Sequence, residues 1–368
     1  MTSSEVSPGG RVYGQDHLLR QLAQSLEQGR MAHAYLLVGP PHVGKMTLAL
    51  ALAQGVNCNQ RVGETRASPL PRSAQHAVSR LGCGSCVQCT RIARGQHADV
   101  RVIGIGQGTE GGPTRTVIGI DDVKSALRQA SLKPFEGACE VIVFDGAESM
   151  SEEAANALLK TLEEPPPQVL LLLLTAEEEA VLPTIRSRCR RLQLRPAPKQ
   201  QIVQKLLAEH HTEPQQAELL SRLSRGCLGW AISTVGDPDL LEQRQAELQR
   251  ISEVTLPGKD GLEGRFGYAS ELATLFSRDR ESARELLYLW LRWWRDLLVI
   301  KEGAEEYVHN LDWLTQLRLQ AAGLSTPQLV QFVKRLLQTL EALDHNANPR
   351  LALEVLMLNL PASASATA

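Results

Sequence analysis

The sequence predicts an α/β domain built on a parallel sheet, followed by an all-α remainder. Three observations predict it. Short apolar runs of strand length alternate with amphipathic helices as far as residue 195. One of them, Ala34-Tyr-Leu-Leu-Val38, leads straight into a glycine loop. Beyond Pro196 the strand-like runs stop, and helical periodicity continues to about residue 360.

The first half divides as follows. After the strand at 34–38 a helix is expected over Thr47 to Gln54, and further buried strands at Val100–Ile103, Glu140–Phe144 and Val169–Thr175. The polar, aperiodic stretch 59–82 and the Gly/Thr-rich stretch 104–118 are expected to be loops. A helix follows Ser151, the expected N-cap, with Glu152 and Glu153 in its first turn and Pro165-Pro166 stopping it. In the second half, Pro198 to about Val235 should hold two or three short helices, with Pro214 opening one and Gly226 closing it. A larger helical block begins around Pro238 or Pro257. Within it Leu286, Trp290, Trp293, Trp294 and Leu297 share one helix face, which suits core or interface packing better than base stacking. The tails MTSSEVSPGG and PASASATA are expected to be disordered.

Composition narrows the class. At 368 residues, 43% hydrophobic and 22% charged, the chain can bury two or three cores. A net charge of −2 removes any global reason for nucleic-acid binding and leaves only local patches. No apolar run is long enough to span a bilayer and the polar start is no signal peptide, so a cytoplasmic location is expected.

Gly39-Pro-Pro-His-Val-Gly-Lys45 has the spacing of a phosphate-binding loop between a strand and a helix. Glycines let backbone N–H groups wrap a phosphate, and Lys45 would reach the terminal phosphates. The next residue should carry a hydroxyl for magnesium but is Met46, a weak thioether acceptor. Thr47 lies one residue late, about 100° round the helix. Asp145 ends an apolar strand, as a Walker B carboxylate would, but Gly146 follows it where hydrolysing enzymes carry Glu, and Glu148 lies two residues beyond. These residues leave ATP or ADP binding open and count against hydrolysis.

Cys58, Cys83, Cys86 and Cys89 form C-x24-C-x2-C-x2-C, a donor set able to enclose structural zinc with no open position. The long first gap leaves His97 as a conceivable fourth ligand, although a lone His is more often ordinary surface. Cys139, Cys189 and Cys227 are isolated and expected to be buried.

Four segments carry a family resemblance: Val12-Tyr-Gly-Gln-Asp16, His33-Ala34, the helix 151–166 with "NALLKTLEEPP", and Leu182-Pro-Thr-Ile-Arg-Ser-Arg-Cys189. Together they resemble the clamp-loader branch of the AAA+ ATPases, and within it the delta-prime group of bacterial DNA polymerase III. The resemblance implies an AAA+ domain over 11–195 with a zinc module inserted within 58–89. It further implies a helical lid over 196–240 and an oligomerising collar over 241–360. It implies that Arg188 reaches across a subunit boundary to the γ-phosphate of ATP on a neighbour. Thr175 would stand at a phosphate-sensing position, and Trp230 where active relatives have an arginine. The implied partners are ATPase motor subunits and delta in a pentameric hetero-oligomer, with sliding clamp and primed DNA. Two alternatives stay open: an active motor subunit using Thr47 and Glu148, and a stand-alone zinc-dependent DNA-binding protein.

Overall fold

The structure, a computed structural model, describes residues 12–62, 81–105, 117–130, 133–237, 239–255 and 261–361. It divides into two compact units, Met1–Lys205 with Ser224–Ser233, and Leu206–Leu223 with Thr234–Ala368. Both expected tails and most of the expected loops at 59–82 and 104–118 lie outside the described residues. The exceptions are a short helix at 59–62 and the ends of each stretch.

The chain opens with α1 (Asp16–Glu27), β1 (Ala34–Val38) and α2 (Lys45–Asn57), then α3 (Asn59–Val62) and α4 (Val87–Ala93). There follow β2 (Val100–Gly104), α5 (Ile120–Ala130), β3 (Glu140–Asp145), α6 (Glu152–Glu163) and β4 (Val169–Thr175). Next come α7 (Pro183–Arg186) and β5 (Arg190–Gln193), and three short helices, α8 (Lys199–His210), α9 (Pro214–Leu223) and α10 (Leu228–Gly236). The remaining helices are α11 (Asp239–Thr255), α12 (Gly261–Arg278), α13 (Arg280–Lys301), α14 (Leu314–Ala322), α15 (Thr326–Asp344) and α16 (Pro349–Leu358).

The sheet has the order β2-β3-β4-β1-β5, and every pairing is parallel. Both faces are covered. Along β4, Leu170, Leu172 and Leu174 enter one core cluster while Val169, Leu171 and Leu173 enter the other. β1 alternates in the same way, with Tyr35 and Leu37 on one face and Ala34, Leu36 and Val38 on the other. Register aligns Val38 with Thr175 and Asp145 with Leu174, so the glycine loop, Asp145 and Thr175 share the carboxyl edge of the sheet.

The sequence pattern does not reveal β5. Arg190 and Arg191 are exposed and only Leu192 and the following Leu194 are buried. Charged residues on a sheet edge protect it from further pairing and also erase the apolar signal.

Ser151 caps α6 as expected, accepting from Ala154 N. The backbone before β3 is held by two buried polar side chains. Asp99 accepts N–H groups of Phe135, Glu136 and Gly137 at 2.6, 2.8 and 2.6 Å. Asn57 accepts from Ala138 N and Cys139 N at 2.8 and 2.9 Å and donates to Cys139 O at 2.9 Å.

In the second unit Trp290, Trp293, Trp294 and Leu297 are fully buried and Leu286 packs beside them, as the helix-face pattern predicts. Trp290 Nε1 donates to Tyr268 Oη at 2.9 Å and Trp293 Nε1 to Gln320 Oε1 at 3.0 Å. These rings make the core of the unit, not a stacking surface.

Candidate functional site

Gly44 caps α2 with φ of 101°, a left-handed conformation that favours glycine. At Gly39 a Cβ would approach Leu194 O to 3.0 Å. Gly39 N donates to Thr175 O at 3.2 Å, which fixes the start of the loop to the end of β4. The ammonium of Lys45 is turned onto its own loop, donating to Gly39 O at 2.6 Å and Pro40 O at 3.0 Å. Burial lowers its pKa, opposed by Glu148 and Asp145.

The other residues gather around this loop. Asp145, at the end of β3, still reaches solvent; its desolvation by surrounding protein raises the carboxyl and Lys45 pulls it back. Glu148 Oε1 accepts from Ala176 N at 3.2 Å, so this carboxylate braces the end of β4. Thr175 is buried, and its hydroxyl donates to Glu177 O at 3.0 Å and accepts from Glu177 N at 3.1 Å. Met46 and Thr47 are half-buried on the first turn of α2, Met46 against the sheet core. Trp230 and Cys227 pack on that same core. Nearby, Gly229 N donates to His42 O at 3.2 Å, and a Cβ at 229 would lie 2.7 Å from that oxygen. Only glycine permits α10 to approach the loop so closely.

Arg188 lies just beyond α7 with its side chain 36% exposed. Its Nη2 donates to Glu163 Oε1 at 2.7 Å, and its Nη1 donates to Thr184 O at 3.0 Å and Ser187 Oγ at 3.4 Å. Arg186 pairs with Glu179 at 2.8 Å and Arg191 with Glu178 at 2.7 Å. The arginine run is therefore threaded with carboxylates and is not a bare cationic patch.

The four cysteine sulfurs converge, all within 4.8 Å of one another. Backbone N–H groups point at them: Cys83 N at Cys58 Sγ (3.4 Å), Cys86 N at Cys83 Sγ (3.2 Å) and Cys89 N at Cys86 Sγ (3.5 Å). Burial pushes the Cys83 thiol up, but the N–H groups of Ser85 and Cys86 outweigh it and bring it down to about 6. Cys89 goes the other way, its thiol pushed up by burial and by the neighbouring thiols, so it is the convergence of four sulfurs that fits a closed four-sulfur metal site. Cys58 is thus the fourth ligand candidate across the long gap. His97 stands outside the cluster and is not on the surface: it is buried, and its Nδ1 accepts from Asp99 N at 3.1 Å. Cys227 is buried as expected, whereas Cys139 and Cys189 are half-buried.

Residues 14–198 match the family described as DNA polymerase III, delta subunit, and residues 238–361 match its C-terminal counterpart. The chain belongs to the DNA polymerase III delta-subunit family. A DNA polymerase III subunit delta' of Bacillus subtilis is 26% identical over 346 residues, covering 94% of this chain and 96% of that protein. A DNA polymerase III subunit tau of Escherichia coli is 33% identical over 246 residues, 66% of this chain and 34% of that one. The chain thus spans about a third of the length of the tau relatives it matches. A DNA polymerase III gamma-subunit-related protein of Thermotoga maritima superposes with a TM-score of 0.41 at 21% identity, over 92% of this chain and 97% of that one. Family membership bears out the clamp-loader resemblance carried by residues 12–16, 151–166 and 182–189.

Several residues of this family member escape a motif reading. Glu163 meets Arg188 across 25 residues, Glu148 meets Ala176 across 28, and Gln54 Nε2 reaches Cys89 O at 2.9 Å across 35. The only sequence signal is that Glu163 lies inside the "LEEPP" segment. Among the described residues no helix is long and apolar enough to cross a membrane.

Proposed function

We propose that the chain is a delta-prime-type subunit of a DNA polymerase III clamp loader, acting in the cytoplasm to help place a sliding clamp on primed DNA. In this reading it associates with ATPase motor subunits and delta in a pentamer through the helical region 241–360. The divisions 11–195 and 196–240 serve as nucleotide-fold domain and lid. The four cysteines hold structural zinc, which shapes the fold and takes no part in a reaction.

One contrast carries the reading. At the chain's own loop, Met46 replaces the magnesium hydroxyl, Gly146 follows Asp145, and Lys45 bonds to loop carbonyls. At the opposite end of the motif set, Arg188 keeps its guanidinium at the surface in the LPTIRSRC setting. A site without a magnesium hydroxyl or a water-polarising Glu lacks the groups that drive phosphoryl transfer to water. Any nucleotide there is held by Gly39, Gly44, Lys45, Thr47, Asp145 and Thr175 without turnover. Arg188 instead stabilises developing negative charge on a neighbour's ATP.

The test is ATP turnover by the chain alone and by the reconstituted loader carrying Arg188→Ala. The expectation is none in isolation, and a loss in the assembly toward the roughly 10³-fold of measured arginine fingers. Clear turnover by the isolated chain would instead establish a motor subunit.

A further inference from the structure

We infer that Glu163 is a positioning residue for Arg188, holding its guanidinium in the orientation from which it meets a phosphate. The inference rests on the trans-acting reading of Arg188 given above. It deepens that reading by adding a second side chain, on α6, to the arginine's setting.

An arginine on a protein surface samples many rotamers, and each must be given up when it engages a phosphate. Here two anchors on different elements remove that freedom in advance. Thr184 O, in the turn of α7, takes Nη1 at 3.0 Å, and Ser187 Oγ lies 3.4 Å from the same nitrogen. Glu163 Oε1, at the last residue of α6, takes Nη2 at 2.7 Å. Two hydrogen bonds to separate nitrogens fix the plane of the guanidinium, which one bond cannot do. The bonds formed to described residues run through Nη1 and Nη2, leaving the Nε proton for an outside acceptor. Glu163 is itself 53% exposed, so the pair stands at the surface and not in a core.

The alternative role for Glu163 is simple support of the junction between α6 and α7. The two roles differ in whether Glu163 matters once Arg188 is gone. Four loaders are reconstituted, with this chain as wild type, Glu163→Ala, Arg188→Ala and the double variant, and single-turnover ATP hydrolysis is measured in each. Glu163→Ala is expected to slow hydrolysis about two- to fivefold, the range of an exposed ion pair, with ATP affinity unchanged. Arg188→Ala slows it far more, and the double variant is no slower than Arg188→Ala alone. Glu163→Gln, which keeps an acceptor oxygen, retains most of the rate.

An equal further loss in the Arg188→Ala background would assign Glu163 to fold support and overturn the inference. Faster hydrolysis with Glu163→Ala would overturn it too, since the carboxylate would then restrain the arginine. If Arg188→Ala is severe and Glu163→Ala silent, the positioning role fails and the trans-arginine reading stands. If Arg188→Ala is silent, both fall.

Discussion

Asp99→Asn is expected to destabilise the first unit by about 2–4 kcal/mol. Asp99 is 3% exposed, and its two oxygens accept three backbone N–H groups: Phe135 N on Oδ1, and Glu136 N and Gly137 N on Oδ2. An asparagine has one oxygen. In its better orientation that oxygen keeps the pair of donors, and its NH2 then faces Phe135 N, leaving both donors unpaired. A buried donor left without an acceptor costs roughly 1–3 kcal/mol, and the loss of charge weakens the two bonds that remain. For a unit of this size such a change lowers the melting temperature by about 5–15 °C, which circular dichroism reads directly. The pH dependence adds a second readout. Burial alone would raise the Asp99 carboxyl, but the three N–H groups outweigh it and hold it below the usual carboxylate range. Its stabilisation is therefore complete above the unfolded-state pKa of about 4 and is lost as pH falls through the lower folded-state value. The wild type should lose stability below about pH 4 more steeply than Asp99→Asn. Equal melting temperatures at pH 7, or identical acid profiles, would refute the reasoning.

Two further outcomes follow from the site. Cys86→Ser removes one of four converging sulfurs, and bound metal measured by mass spectrometry should fall from stoichiometric to near zero; unchanged metal content would exclude the four-sulfur site. Met46→Thr places a hydroxyl beside Lys45, so magnesium-dependent ATP binding by calorimetry should strengthen, and on the proposed reading no hydrolysis should appear because Gly146 is unchanged. Appearance of turnover in this variant would show that Glu148 can polarise the water.

The parts of this molecule legible from sequence are those whose signal is local. The strand at Ala34–Val38 and the strand Val169–Thr175 coincide with their apolar runs. The Ser151 cap and the Pro214 helix start are likewise local chemistry. β5 was hidden because Arg190 and Arg191 serve the sheet edge while only Leu192 records the core. The burial of His97 is not legible, because nothing beside it in sequence shows that it turns inward against Asp99. In the candidate site the glycine loop, Asp145 and the cysteines were visible by spacing. Glu163, Glu148, Asn57 and Gln54 were not, because each takes meaning from a backbone atom or side chain brought in by the fold.

The cysteine cluster has a consequence for the length of chain between its members. Cys83 N lies 3.4 Å from Cys58 Sγ, so the 24 residues between these cysteines leave and return at one point. Closing a loop costs free energy that grows only as the logarithm of its length. The base of this span is held independently: Gln54 reaches Cys89 O, Asn57 ties α2 to the backbone before β3, and Leu81 is fully buried. The contacts that hold α2 beside the backbone before β3 are thus close in space and indifferent to how much chain links Cys58 to Cys83.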